Sequence, residues 1–184
     1  MSIKGDTMFK TREPSFSVKK THLVDAVADM GADVEHEVAG LAARDPEVRL
    51  AIIGPGVEVD ELRRTGAPPG VTLTGGIPPD EIANYYHAID VGVLPFAVMP
   101  FTDNAMPLKV IEYGFAKKPA LATPLKELTR IGLPHVRFAP RERAAWEQGL
   151  AELLRTRWEP EWEPTLRDYR WTNLAARLLA GIGL

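Results

Sequence analysis

Short apolar runs, most of them bounded by Gly or Pro, constrain this chain more than any other feature. They are Leu23–Ala28, Leu50–Ile53, Val71–Thr74, Val91–Leu94 and Ala120–Thr123, with a weaker one at Val136–Ala139. As a group they lack strict polar–apolar alternation, so neither face of the strands they would form can be left to water. That is the pattern of strands buried on both sides, as in a parallel sheet. Helical spacing fills the intervals. Val34, Val38 and Leu41 follow Asp33, a suitable N-cap. Ile82, Tyr85, Tyr86 and Ile89 share one helical face after the Pro78-Pro79 stop. Leu108, Ile111 and Phe115 form another, with Pro107 suited to the first turn and Lys117-Lys118 to the negative end of the dipole. This β-α-β-α succession predicts an α/β fold, a doubly wound Rossmann-like parallel sheet.

Beyond Pro140 the pattern changes to C-terminal helices carrying Trp. Trp146, Leu150, Leu153 and Leu154 mark one helix; Trp171, Leu174, Ala175 and Leu178 mark another. Both could cover an edge and a face of the sheet, or the last could cross to a second domain.

Composition removes several function classes. The 184 residues carry a formal net charge of −3, without the basic excess of a general nucleic-acid binder. There is no Cys, which excludes disulfides, thiol redox chemistry and Cys-based zinc sites. No apolar run is long enough to span a membrane. The polar stretch Met1–Lys20 has no apolar signal core and reads as a linker or frayed arm.

Ligands of open parallel sheets bind beyond the carboxyl ends of the strands. Here those ends are Met30-Gly31, Gly54-Pro55-Gly56, Gly75-Gly76-Ile77-Pro78, Pro95-Phe96 and Thr123-Pro124. The most informative segment is the loop Ala97–Met106 and the helix that follows it. A helix N-terminus suits a phosphate, and Lys109 adds a full charge in the same turn. Glu112, three residues on, shares its face. The two could form only a weak surface ion pair. Alternatively, Lys109 meets a diphosphate and Glu112 accepts both ribose hydroxyls. The chain has no G-x-G-x-x-G after the first strand, no P-loop, no G-x-S-x-G elbow and no His or carboxylate cluster at metal spacing. His87, beside the Tyr85/Tyr86 face, reads as structural.

From Arg49 to Thr123 the chain resembles the donor-binding domain of GT-B glycosyltransferases, especially the large family of bacterial polysaccharide and mannosyl-transferring enzymes. Leu50-Ala-Ile-Ile-Gly54-Pro-Gly56 is similar to the family's second strand and Gly turn. Val71-Thr-Leu-Thr-Gly-Gly-Ile-Pro78, with Glu81-Ile82 and Tyr85-Tyr86, matches its next strand and helix. Asp90-Val-Gly-Val-Leu-Pro95 resembles its "aDv-x-vlPs" strand. Most specific is Met106-Pro-Leu-Lys-Val-Ile-Glu-Tyr-Gly-Phe-Ala-Lys-Lys-Pro-Ala-Leu-Ala-Thr123, of the "PLK-x-x-EY" type. Two departures stand out. Where many relatives place a first Glu, eight residues before Glu112, this chain has Asn104; where they have Gly before the Pro, it has Lys118.

The resemblance implies a half-enzyme that binds a nucleotide-diphosphate-sugar donor, with no cofactor and no metal. Residues 1–22 would be an arm, 23–158 the Rossmann-like donor domain, and 159–184 a helix leaning on a missing N-terminal acceptor domain. Lys109 and the N–H groups around Met106, Pro107 and Leu108 would hold the diphosphate, and Glu112 the ribose. Backbone at Gly76 and Ile77 would read the base, and Phe96 and Asn104 would line the donor pocket. The resemblance implies polysaccharide biosynthesis in the cytoplasm or at the inner membrane face, any membrane contact coming through the full-length protein. Two other assignments fit the same motifs: a non-catalytic donor-binding subunit serving a separate acceptor-domain chain, or half of a GT-B-fold sugar-nucleotide epimerase. With the acceptor domain missing, some of Trp162, Trp171, Leu174 and Leu178 should lose their packing partner, and truncation after Trp158 should spare the sheet domain.

Overall fold

A computed structural model describes residues 22–27 (backbone only), 47–156, 158 and 161–182. Six strands form one parallel sheet: β1 (His22–Val27), β2 (Val48–Ile53), β3 (Val71–Gly75), β4 (Val91–Leu94), β5 (Ala120–Ala122) and β6 (Val136–Phe138), in the order β3-β2-β1-β4-β5-β6. This is the doubly wound order, reversing direction between β1 and β4. The strands fall on the apolar runs within one or two residues. The helix expected behind Asp33 and the turn at Met30-Gly31 lie outside the described residues.

Between and after the strands come α1 (Val57–Thr65), α2 (Ile82–Ala88), α3 (Pro100–Asp103), α4 (Leu108–Phe115), α5 (Lys126–Ile131), α6 (Arg143–Arg155), α7 (Glu163–Leu166), a 3-10 turn (Arg167–Tyr169) and α8 (Trp171–Gly181). Pro107 sits just outside α4, in the N-cap position rather than the first turn.

The strand residues divide between two cores. Leu50 and Ile52 of β2, Val91 and Val93 of β4 and Leu121 of β5 pack with Val59 of α1 and with Trp146, Leu150 and Leu153 of α6. Ala51, Ile53, Leu94, Ala120 and Ala122 face the other way, toward α2, α4, α5 and α7. Fully burying a Leu, Ile or Val contributes about 1.5–3 kcal/mol, so the continuous apolar runs are what hold the helices on both sides.

The second face is lined with small residues, and that brings α4 close to the sheet. Gly92 pairs with Ala120 across β4 and β5. Any Cβ on Gly92 would collide with the ring of Tyr113, which lies in that space and is fully buried. α4 is braced from its far side as well. The backbone oxygen of Gly114 accepts from Trp162 Nε1 at 3.0 Å, and His135 Nε2 bonds the oxygen of Val110 at 2.8 Å. Gly114 has no room for a side chain, because Leu166 and His135 occupy the space.

Of the four residues expected in part to lose their packing partner, Trp162 keeps its own. It is 5% exposed, and its ring faces His135 and Trp158. Its apolar neighbours belong to this chain's own core, so it needs no second domain. α8 differs: Trp171, Leu178, Leu179 and Ile182 are exposed, and Leu174 is half-buried. The residue after α4 with left-handed backbone is Lys117, at φ 61°. Among the described residues, no helix is long and apolar enough to cross a membrane.

Candidate functional site

The sheet order places the crevice at the carboxyl ends of β1 and β4, and the loop leaving β4 borders it. The loop's own side chains fix its shape. Thr102, fully buried, donates from Oγ1 to the Ala97 oxygen at 2.5 Å and accepts from the Met99 N–H at 2.9 Å. Asp103 Oδ1 accepts from the backbone N–H of Lys126 at 2.6 Å, tying the loop to the first residue of α5. That bond satisfies one of the amide groups a helix start leaves open. The sequence reading missed both residues. Each acts through a partner that local periodicity does not register.

Asn104 is exposed and donates from Nδ2 to the Pro100 oxygen at 2.7 Å, closing α3. One amide hydrogen is thus committed to the loop itself. Phe96, at 8% exposure, belongs to the core under the loop and forms its floor rather than an open wall. Met106 and Pro107 are half-buried, whereas Leu108 is exposed.

Lys109, half-buried, stands in the first turn of α4, where Val110 N donates back to the Pro107 oxygen at 3.2 Å. Leu108 and Lys109 therefore contribute their N–H groups ahead of the first intrahelical bond, the arrangement that attracts an anion. The ion pair weighed for Lys109 and Glu112 does not form. Among the described residues Lys109 has no ion pair, and the Glu112 carboxylate instead accepts from the Tyr86 hydroxyl at 2.8 Å. Tyr86, 5% exposed, sits edge-on to Tyr113 with ring centres 5.4 Å apart. The sequence marked Tyr86 as part of an apolar helix face and of a matched motif, with no role for its hydroxyl. Its hydroxyl crosses from α2 to α4, between residues far apart in the chain.

On the other side of the switch point, the ends of β2 and β3 are stitched together. Gly54 N–H donates to the Gly75 oxygen at 3.0 Å, and both glycines have positive φ, 129° and 72°. The Arg63 guanidinium fills the space where a Gly75 side chain would stand. Gly76 beyond it is exposed, while Ile77 leans on the core.

His135 lies behind the site, under α4. Burial holds its pKa below the ordinary value, against the opposing effect of the Val110 hydrogen bond. Lys118, two residues before β5, and His87, in the last turn of α2, are also lowered. Burial is the main cause for each; Asp90 partly offsets it for Lys118, and Lys118 reinforces it for His87. Among the described residues, no group of three or more His, Cys, Asp or Glu could hold a metal ion.

The chain is 31% identical over 100 residues to the Bacillus subtilis (strain 168) protein TuaH, whose name places it among glycosyltransferases of teichuronic acid biosynthesis; the match spans 52% of this chain and 24% of that protein. Among solved structures it resembles Anabaena Alr3699/HepE in complex with UDP and glucose, with TM-score 0.62, 14% identity, and coverage of 88% of this chain and 49% of the other. A UDP-forming α,α-trehalose-phosphate synthase from Burkholderia xenovorans matches with TM-score 0.66 and 12% identity, over 88% of this chain and 44% of that one. The chain thus spans about a quarter of that curated relative and under half of these structures. Structural likeness at such identity shows the fold, one half of the GT-B architecture. The family model described as "Glycosyl transferases group 1" matches residues 26–156, and the chain belongs to that family.

Proposed function

We propose that this chain binds the nucleotide-diphosphate-sugar donor of a glycosyltransferase acting on a glycan, lipid or other acceptor, in the cytoplasm or at the inner membrane face. The observation that carries the reading is the α4 start. A half-buried Lys109 that has no ion-pair partner among the described residues stands among the first amide groups of a helix, one turn from a carboxylate held by Tyr86. Lys109 and the amides of Leu108 and Lys109 meet the diphosphate, Glu112 meets the ribose, and Gly76–Ile77 meets the base. In sugar transfer, charge accumulates on the departing diphosphate. A preorganised cation and helix dipole stabilise that charge without requiring a metal. Acceptor binding is assigned to a second domain, and the chain by itself, which spans under half of the structures it resembles, binds its donor weakly.

The test is calorimetry with UDP, GDP, ADP and TDP, alongside NMR of the amides near Lys109. At least one diphosphate should bind in the millimolar range or tighter. Lys109→Ala should weaken the diphosphate about tenfold or more, the scale of a charged hydrogen bond, and leave the corresponding nucleoside nearly unchanged. If no diphosphate binds, or if Lys109→Ala affects nucleoside and diphosphate alike, the donor-site reading fails.

A further inference from the structure

Building on the assignment of Glu112 to the ribose, we propose that Tyr86 is a positioning residue: it holds Glu112 so that the site selects ribonucleoside over deoxyribonucleoside diphosphates. Glu112 is half-buried on the first two turns of α4, and an unrestrained Glu at such a position would sample several rotamers. Here one carboxylate oxygen, Oε2, is fixed by the Tyr86 hydroxyl at 2.8 Å. The donor cannot easily move. Its ring is buried, set edge-on against Tyr113, and Tyr113 is itself locked between α4 and Gly92.

A carboxylate offers about four lone-pair directions, two on each oxygen. Tyr86 takes one on Oε2. No other described residue donates to the carboxylate, so Oε1 keeps both of its own and one more remains on Oε2, enough to accept from two adjacent hydroxyls together. The 2′ and 3′ hydroxyls of ribose supply that pair of donors; a 2′-deoxyribose supplies one. A carboxylate held in one orientation receives the diol without first losing its rotamer freedom, so the discrimination depends on Tyr86 as well as on Glu112.

The experiment titrates the full chain, Tyr86→Phe, Glu112→Gln and the double variant with UDP, GDP and ADP, each against its 2′-deoxy and 2′,3′-dideoxy counterparts. Tyr86→Phe removes only the hydroxyl and keeps the ring against Tyr113, and a thermal melt checks that the fold is retained. For the ribonucleotide that binds, Tyr86→Phe should weaken affinity about five- to tenfold while the dideoxy form is unaffected. In the Glu112→Gln background the same change should have little further effect. An equal loss for all three ligands would make Tyr86 merely structural and overturn the proposal. A ribose preference that falls with Glu112→Gln but not with Tyr86→Phe would also overturn it, while leaving Glu112 on the ribose. A preference that neither change alters would overturn both assignments, as would the absence of any diphosphate binding.

Discussion

Gly92→Ala tests how the small-residue face of the sheet sets the position of α4. A methyl group at Gly92 would fall 2.7 Å from Tyr113 Cγ and closer still to Cδ2 and Cε2. Carbon atoms in favourable contact sit about 3.5–4.0 Å apart, so the ring would have to retreat by roughly 1 Å. It has little space for that, being fully buried and set against Tyr86. Overpacking of this kind costs about 1–3 kcal/mol. Replacing a strand Gly by Ala returns about 0.5–1 kcal/mol of backbone entropy. The expected net loss is about 1 kcal/mol, or a melting temperature lower by about 2–4 °C for a chain of this length. Urea unfolding of the single variants and of the pair with Tyr113→Ala measures it as a double-mutant cycle. With the ring gone, the added methyl fills vacated space and its cost should vanish or reverse, a coupling of about 2 kcal/mol. If Gly92→Ala costs the same in both backgrounds, or almost nothing in either, Tyr113 is not what excludes a side chain there.

Further consequences follow from local geometry. Lys117→Gly should raise stability by about 0.5–1 kcal/mol in urea melts, because Lys117 holds φ 61° while its N–H and that of Lys118 close the end of α4 on the Gly114 and Tyr113 oxygens. Asp103→Ala should cost about 1 kcal/mol, the usual loss of a helix cap, and its amide shifts should fall on the β4–α4 loop as well as on α5. For His135, whose pKa burial lowers from 6.5 in the native state, the unfolded chain binds the proton more readily. Its contribution to stability is present above about pH 6.5 and is lost as pH falls from there through the depressed native value. His135→Gln, which keeps a donor for the Val110 oxygen and does not titrate, should flatten that part of the stability–pH curve relative to the parent.

The sheet was legible in the sequence because strands buried on both faces must be written as continuous apolar runs, and β4 spans the very run Val91–Leu94. The longer amphipathic helices were legible for the same reason: α6 carries Trp146, Leu150 and Leu153 into the core at helical spacing. The short helices were not. α5 is six residues long, and its start is capped by Asp103 from a loop earlier in the chain; no window of sequence contains both. The site followed the same division. Lys109 and Glu112 stood out because they share one turn of an α4 whose start the sequence marks, but local spacing suggested that they pair with each other. What decides otherwise is Tyr86, brought to Glu112 by the α2–α4 packing that Gly92 and Tyr113 permit. Asn104 and Phe96 show the limits of strand-end reading from the other direction. It located the loop, but could not say that Asn104 closes α3 or that Phe96 turns inward.

The C-terminal tail divides at Arg170 rather than at Trp158, and two truncations make the division measurable. A chain ending at Trp158 loses Trp162 and Leu166, respectively 5% and 0% exposed, and with them the Trp162 bond to the Gly114 oxygen and the cover over His135. Removing a buried Trp costs about 3–5 kcal/mol and a buried Leu about 2–5. Together these approach the whole stability of a typical domain, about 5–15 kcal/mol. A chain ending at Arg170 loses only α8, in which no residue is buried. Trp171 is 69% exposed and Leu178 66%, and the side-chain tie to the preceding turn is Asn173 Nδ2 donating to the Arg167 oxygen at 2.7 Å. That loss should stay under about 1 kcal/mol, in the range of changes to surface positions. Circular dichroism melts should therefore show the shorter chain unfolded or strongly destabilised and the longer one close to the full chain. Should the chain ending at Trp158 melt with the full chain, Trp162 and Leu166 are not part of the core that braces α4. Should the chain ending at Arg170 unfold, α8 stabilises the domain through contacts that its exposure does not reveal.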